Sequence, residues 1–214
     1  MLRLVTLSAA SLWAFVAIAD AIRDPATQAM DRRILLAMRE RGDTADPIGP
    51  VWLEEVARDL TALGGFPVLA LVTVGASAYF VVVKRKRELS LLLTTVVTGG
   101  LLAGLLKLAF QRPPPELVPG DMAAYATSFP SGHAMMATIT YLTLAGLLAQ
   151  LHSDARMKLV FIGGAVLVSV LVGVTRVYLG VHWPTDVLAG WTVGAGWALA
   201  CCLAAIELER RTQQ

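Results

Sequence analysis

Apolar residues gather into six runs along this chain, each near the length a helix needs to cross a bilayer, with short charged stretches between them. The runs are Leu4 to Ile22, Gly65 to Val83, Leu89 to Phe110, Ala134 to Leu151, Leu159 to Tyr178 and Val187 to Ile206. They predict an all-α polytopic membrane helix bundle of about six transmembrane helices. Small residues within them, such as Gly99, Gly100, Gly104, Gly163, Gly164, Gly194 and Gly196, suit close helix packing. The segment from Arg23 to Leu63 has another pattern. Ile34, Leu35 and Met38, then Leu53, Val56 and Leu60, recur at helical spacing among charged residues. Gly42-Asp43 and Asp46-Pro47-Ile48-Gly49-Pro50 interrupt them, which predicts two short amphipathic helices that lie on the membrane surface or cap the bundle. The charges of this segment read as a solvated face without chemistry of its own.

Composition strengthens the membrane reading. Hydrophobic residues make up 56% of the chain and charged ones 16%, and the mean hydropathy is +0.64, too apolar for a soluble domain. The net charge of +2 says little about partners, because the charges cluster. No basic stripe with interleaved aromatics exists, so nucleic acid is not an expected ligand. Cys201 and Cys202 are adjacent in an apolar run and lack disulfide or metal spacing; they read as small apolar fillers. A lone Arg3 precedes the first run, and Ala17-Ile18-Ala19 resembles a signal-peptidase site. A retained helix is the expectation, a cleaved signal the alternative.

Charge placement orients the bundle. With six alternating spans, Arg3, Lys84-Arg85-Lys86-Arg87, Arg156 with Lys158, and Arg210 with Arg211 fall on one side, the expected cytoplasmic face with both termini. The 23–63 segment and the loops 112–130 and 176–186 then share the outer, periplasmic face. That face collects Lys107, Arg112, Ser131, His133, Arg176, His182 and Asp186, including two of the three histidines. Snorkelling accounts for any one of the basic residues, but not for three on the side that insertion disfavours. His152 falls in a cytoplasmic loop and reads as solvated.

Two stretches there have the chemistry of an anion site. In Pro130-Ser131-Gly132-His133, proline fixes φ and serine is a good N-cap, so a helix begins and aims its free N–H groups outward. Gly132 allows close approach of a ligand, and His133 puts a titratable proton donor in the first turn. In His182-Trp183-Pro184-Thr185-Asp186, Pro184 suits the first turn of another helix. The spacing lets the Asp186 carboxylate hold one nitrogen of His182 and leave the other free to attack. With Lys107 and Arg176 beside it, the cluster fits a tetrahedral oxyanion, above all phosphate. Zinc on the two histidines, an aspartate and Asp121 is the rival, disfavoured by the surrounding cations and by the lack of an H-E-x-x-H pattern.

These blocks resemble the type 2 phosphatidic acid phosphatase superfamily, membrane phosphatases related to vanadium haloperoxidases. The family pattern is lysine followed at fixed distance by Arg-Pro, then Pro-Ser-Gly-His, then Ser-Arg, five residues, His, three residues and Asp. The second block is complete at 130–133, and the third stands as Thr175-Arg176, His182 and Asp186, with threonine keeping the serine's hydroxyl. The first departs: Lys107 is followed by Gln111-Arg112-Pro113-Pro114-Pro115, with Pro114 at the usual arginine position and Arg112 two residues earlier. The resemblance implies one membrane-embedded domain over residues 1–214, its motifs within 107–186, that hydrolyses a lipid phosphate without cofactor or metal. His182, oriented by Asp186, is then the nucleophile that forms a phosphohistidine, and His133 the acid and later the base. Lys107, Arg112, Ser131, Gly132 and Arg176 hold the phosphate oxygens. The implied substrates are undecaprenyl pyrophosphate, placed first, phosphatidic acid and phosphatidylglycerophosphate, with membrane lipids as the surroundings. A non-catalytic lipid-phosphate or anion carrier is the alternative, since it uses the same cations and helix ends.

Overall fold

The structure, a computed structural model, describes residues 2–117 and 127–212. In chain order its elements are α1 (Leu2–Ala21), α2 (Pro25–Leu36), β1 (Arg39–Glu40), β2 (Asp43–Pro47), α3 (Val51–Ala62), α4 (Phe66–Val82), α5 (Lys86–Phe110), α6 (Gly132–Gln150), α7 (Ala155–Tyr178) and α8 (Pro184–Thr212). Five of these helices are long and apolar enough to cross a membrane. Helices α3 and α4, bent by 45° at their junction, meet the same test only when taken together. The helix bundle expected from the runs is present.

Helices α5, α7 and α8 reach beyond their apolar runs by three or more residues of largely polar sequence. Charges do not stop a helix at a bilayer edge, and pairs such as Arg85–Glu88 at 3.3 Å and Arg211–Glu207 at 3.1 Å support the extra turns. The 23–63 segment holds the two expected short helices, α2 and α3, and also an element the pattern did not reveal. Between them, β1 and β2 form an antiparallel hairpin whose turn places Gly42 at φ 101°. A two-residue strand is too short to show an alternating pattern, and the Asp-Thr-Ala-Asp-Pro of β2 has no apolar alternation to show.

Helix α6 is central. In its most apolar window 56% of residues are buried, against 17% in α1 and α5, 22% in α7 and 39% in α8. The outer helices turn large apolar side chains outward, Leu71, Leu101, Leu105, Leu159 and Val160 among them. So large an exposed apolar surface is the face of an integral membrane protein toward lipid. Inside, Phe15 and Ala19 of α1 and Ile22 just after it meet Ala103 of α5, Met135 and Ile139 of α6, and Ala189 and Val193 of α8. Phe129, fully buried in the stretch just before α6, packs against Phe15 and Phe110 at ring distances of 6.0 and 4.8 Å.

The approach of α6 to α8 sets up the site. A Cβ on Gly190 would stand 2.8 Å from the Ser131 carbonyl oxygen, and one on Gly194 would stand 2.8 Å from that of Met135. Only hydrogen fits at either position, so the two helix starts lie side by side. Gly194→Val is expected to cost about 1–3 kcal/mol through overpacking. Thermal unfolding of the detergent-solubilised protein checks this, and an unchanged Tm would contradict so close a contact.

Candidate active site

Three helix termini meet at one end of the bundle. Helix α5 ends at Phe110, where Gln111 takes a left-handed φ of 44° and three prolines follow. Proline cannot continue the ladder, so the chain turns across the bundle end at Arg112. Helix α6 starts from Ser131, whose hydroxyl oxygen accepts the Ala134 N–H at 3.5 Å. The Ser131 N–H donates to the Asp186 carbonyl at 2.9 Å, tying this start to that of α8. Helix α8 begins at Pro184, and the Asp186 side chain accepts the Trp183 N–H at 3.0 Å. Both predicted helix starts stand where the sequence places them.

Lys107, in the last turn of α5, crosses to α6: its Nζ lies 3.9 Å from where Gly132 would carry a Cβ. Arg176, in the last turn of α7, donates from Nη1 to the Thr61 hydroxyl of α3 at 3.2 Å, while its buried Nε has no partner among the described residues. Such an orphaned donor is costly unless a ligand oxygen satisfies it. His133 is close enough to Arg176, His182 and Lys107 for their charges to act on it. Its ring also borders the α3–α4 junction, with Nε2 3.7 Å from the position of a Cβ on Gly65.

His182 is 7% exposed, and its Nδ1 lies 3.5 Å from Asp186 Oδ2. That is ion-pair rather than hydrogen-bond geometry, and Nδ1 has no hydrogen-bond partner among the described residues. Burial pushes the imidazole below the ordinary histidine range, Asp186 pulls it back up, and Arg176 and Lys107 add to the lowering. A lowered value keeps the ring neutral, and so able to act as a nucleophile, at neutral pH.

Six of the residues singled out in the sequence, Lys107, Ser131, Gly132, His133, Arg176 and His182, therefore gather at one end of the bundle, with Asp186 beside His182. Arg112 is placed otherwise. Its Nη1 donates to Asp186 Oδ1 and to the Thr185 hydroxyl, both at 2.7 Å, and its Nη2 donates to Asp31 Oδ2 at 2.8 Å. The guanidinium also stacks on Trp183, 5.5 Å from the ring centroid. Both terminal nitrogens are thus engaged by carboxylates rather than turned toward a phosphate. Pro114 lines a separate cavity of about 340 Å³ with Arg32 and Trp183. Asp121 lies outside the described residues, and among those described no three His, Cys, Asp or Glu side chains are arranged to hold a metal. The pattern also missed Asp31 and Thr61, partners supplied by the segment read as a solvated face.

The PAP2 superfamily model matches residues 88–209, more than half of the chain and all of this constellation except the α2 and α3 contributions. The chain belongs to the PAP2 superfamily. Phosphatidylglycerophosphatase B of Bacillus subtilis is 36% identical over 185 residues, covering 84% of this chain and 85% of that protein. The crystal structure of a transmembrane PAP2 type phosphatidylglycerolphosphate phosphatase from Bacillus subtilis superposes with a TM-score of 0.81 at 31% identity, covering 97% of this chain and 98% of that one. An undecaprenyl-diphosphatase of Sulfolobus acidocaldarius is 46% identical over 68 residues, 32% of this chain and 29% of that protein. This PAP2 protein is a membrane phosphatase, and the carrier alternative falls.

Proposed function

We propose that this PAP2 enzyme dephosphorylates a lipid phosphate at the outer face of a bacterial plasma membrane, through a phosphohistidine on His182. The observation that carries the lipid assignment is an apolar groove of about 600 Å³ that ends on the active site. Phe66, Leu69, Val97, Leu101 and Met136 line it, and Gly132 and His133 close one end. A phosphate seated over the start of α6 leaves its tail in this groove, open to the bilayer.

In the reaction, His182 attacks phosphorus in line, and the bond to the leaving oxygen breaks as His133, protonated beside the negative charge of the bound phosphate, gives that oxygen a proton. Asp186 offsets the positive charge that develops on the attacking ring. His133, now neutral, takes a proton from water as the water displaces His182 and frees inorganic phosphate. Lys107, the orphaned Nε of Arg176, Ser131 and the Gly132 N–H bind the nonbridging oxygens as charge builds. The Lys84–Arg87 cluster, Arg156 with Lys158, and Arg210 with Arg211 belong to the opposite helix ends, which supports a cytoplasmic placement of those ends and of both termini.

Among substrates, phosphatidylglycerophosphate takes first place over undecaprenyl pyrophosphate, because the phosphatidylglycerophosphatase likeness runs along 84% of this chain and the undecaprenyl-diphosphatase likeness along 32%. The test is phosphate release by purified protein in mixed micelles containing EDTA, with both lipids and phosphatidic acid at equal surface concentration. The expected result is release with the highest kcat/KM on phosphatidylglycerophosphate. A higher kcat/KM on undecaprenyl pyrophosphate would reverse the ranking, and loss of activity in EDTA would overturn the metal-free mechanism.

A further inference from the structure

Asp31 is fully buried although it belongs to α2, outside the transmembrane bundle. Its Oδ1 accepts the Thr185 N–H at 3.0 Å, and its Oδ2 accepts both the Thr185 hydroxyl and Arg112 Nη2. Arg112 passes on to Asp186, so two fully buried carboxylates share one guanidinium whose side chain is 11% exposed. We propose that Asp31 and Arg112 are positioning residues for His182, acting through Asp186. Arg112 fixes the carboxylate's direction, and Asp31 cancels the charge that Arg112 brings.

The charge count makes the case. Asp186 alone would present one negative charge to His182. Paired with Arg112 it presents none, and with Asp31 added the trio is again net negative. The groups are nearly dry, so these charges are weakly screened. A negative trio favours the imidazole that turns positive as its nitrogen bonds to phosphorus; a neutral pair does not. The hydrogen bonds to both Asp186 oxygens, from Arg112 and the Trp183 N–H, also keep the carboxylate from rotating away. Among the described residues, the other ionisable groups facing His182 are Arg176 from α7, Lys107 from α5 and His133 from α6. They remain the same in every variant compared below.

This inference rests on His182 as the nucleophile, so its test reads the ring as well as the rate. The measurements are the titration of His182 by NMR of histidine-labelled protein in micelles, assigned with His182→Asn, and the pH profile of kcat/KM. Removing the Asp31 charge in Asp31→Asn is expected to lower the His182 pKa and move the acid limb down by roughly half a unit or more. The same change lowers kcat about tenfold and leaves KM nearly unchanged. Arg112→Gln, which removes the positive charge, moves the titration and the limb upward. The double variant Asp31→Asn/Arg112→Gln returns both close to the parent, which mere scaffolding contacts would not do. No movement, or movement of both single variants in one direction, overturns the proposal. If Asp31→Asn alone is not monodisperse, the downward step from Arg112→Gln to the double variant decides. Opposed titration shifts in a protein whose hydrolysis survives His182→Asn would support the coupling and remove His182 from the chemistry.

Discussion

His182→Ala is expected to lower phosphate release from every lipid phosphate by about four orders of magnitude or more, because a nucleophile's removal ends the covalent route outright. His133, the other imidazole in the space, cannot replace it. It stands in the first turn of α6 against the α3–α4 junction, on the leaving-group side of the proposed path. Water attack assisted by Lys107, Arg176 and the helix start remains, which is why a residual rate above background is expected. The decisive reading is the intermediate. Rapid quenching of the parent enzyme at alkaline pH, where a phosphoramidate survives, should trap labelled phosphate on protein, and His182→Ala should trap none. Undiminished trapping in a monodisperse His182→Ala protein would assign the nucleophile elsewhere. The lowered pKa of His182 adds a pH signature: the neutral ring persists below the ordinary histidine range, so activity should hold under mildly acidic conditions.

The residues legible in the sequence are those whose chemistry coincides with a local structural signal. Pro130-Ser131 and Pro184 announce helix starts, so His133, His182 and Asp186 could be placed at them before any packing was known. Lys107 and Arg176 were legible as cations in the last turns of apolar runs. Asp31 had no such mark. Its partner Thr185 is 154 residues away, and only the docking of α2 onto the start of α8 buries a charge that otherwise looks solvated. Thr61 is hidden for the same reason, 115 residues from Arg176. Arg112 was found and given to the phosphate, because a cation next to an oxyanion site is the simplest inference when the two buried carboxylates that engage it are invisible. The short hairpin between α2 and α3 left no periodic trace, since β1 is only two residues long.

His133→Ala is expected to cost about two to four orders of magnitude on a lipid phosphomonoester, the span of general acid–base catalysis. The size should depend on the leaving group. A glycerolipid alkoxide leaves poorly without a proton, whereas nitrophenolate needs little help, so the attack step on nitrophenyl phosphate should be far less affected. The second half-reaction differs. Water must still be deprotonated to displace His182, whichever group has departed, so the variant should release about one equivalent of nitrophenol and then stall with phosphate on the enzyme. A burst followed by slow turnover assigns both roles to His133. Equal losses on the lipid and on the nitrophenyl ester, without a burst, would leave His133 as a binding group only. The site's layout favours the burst: the α3–α4 junction packs Gly64 against the His133 carbonyl, 3.1 Å from where a Cβ would stand, and Gly65 against its Nε2. Held on one side by this junction and on the other by the first turn of α6, the imidazole stays aimed at a single point through both proton transfers.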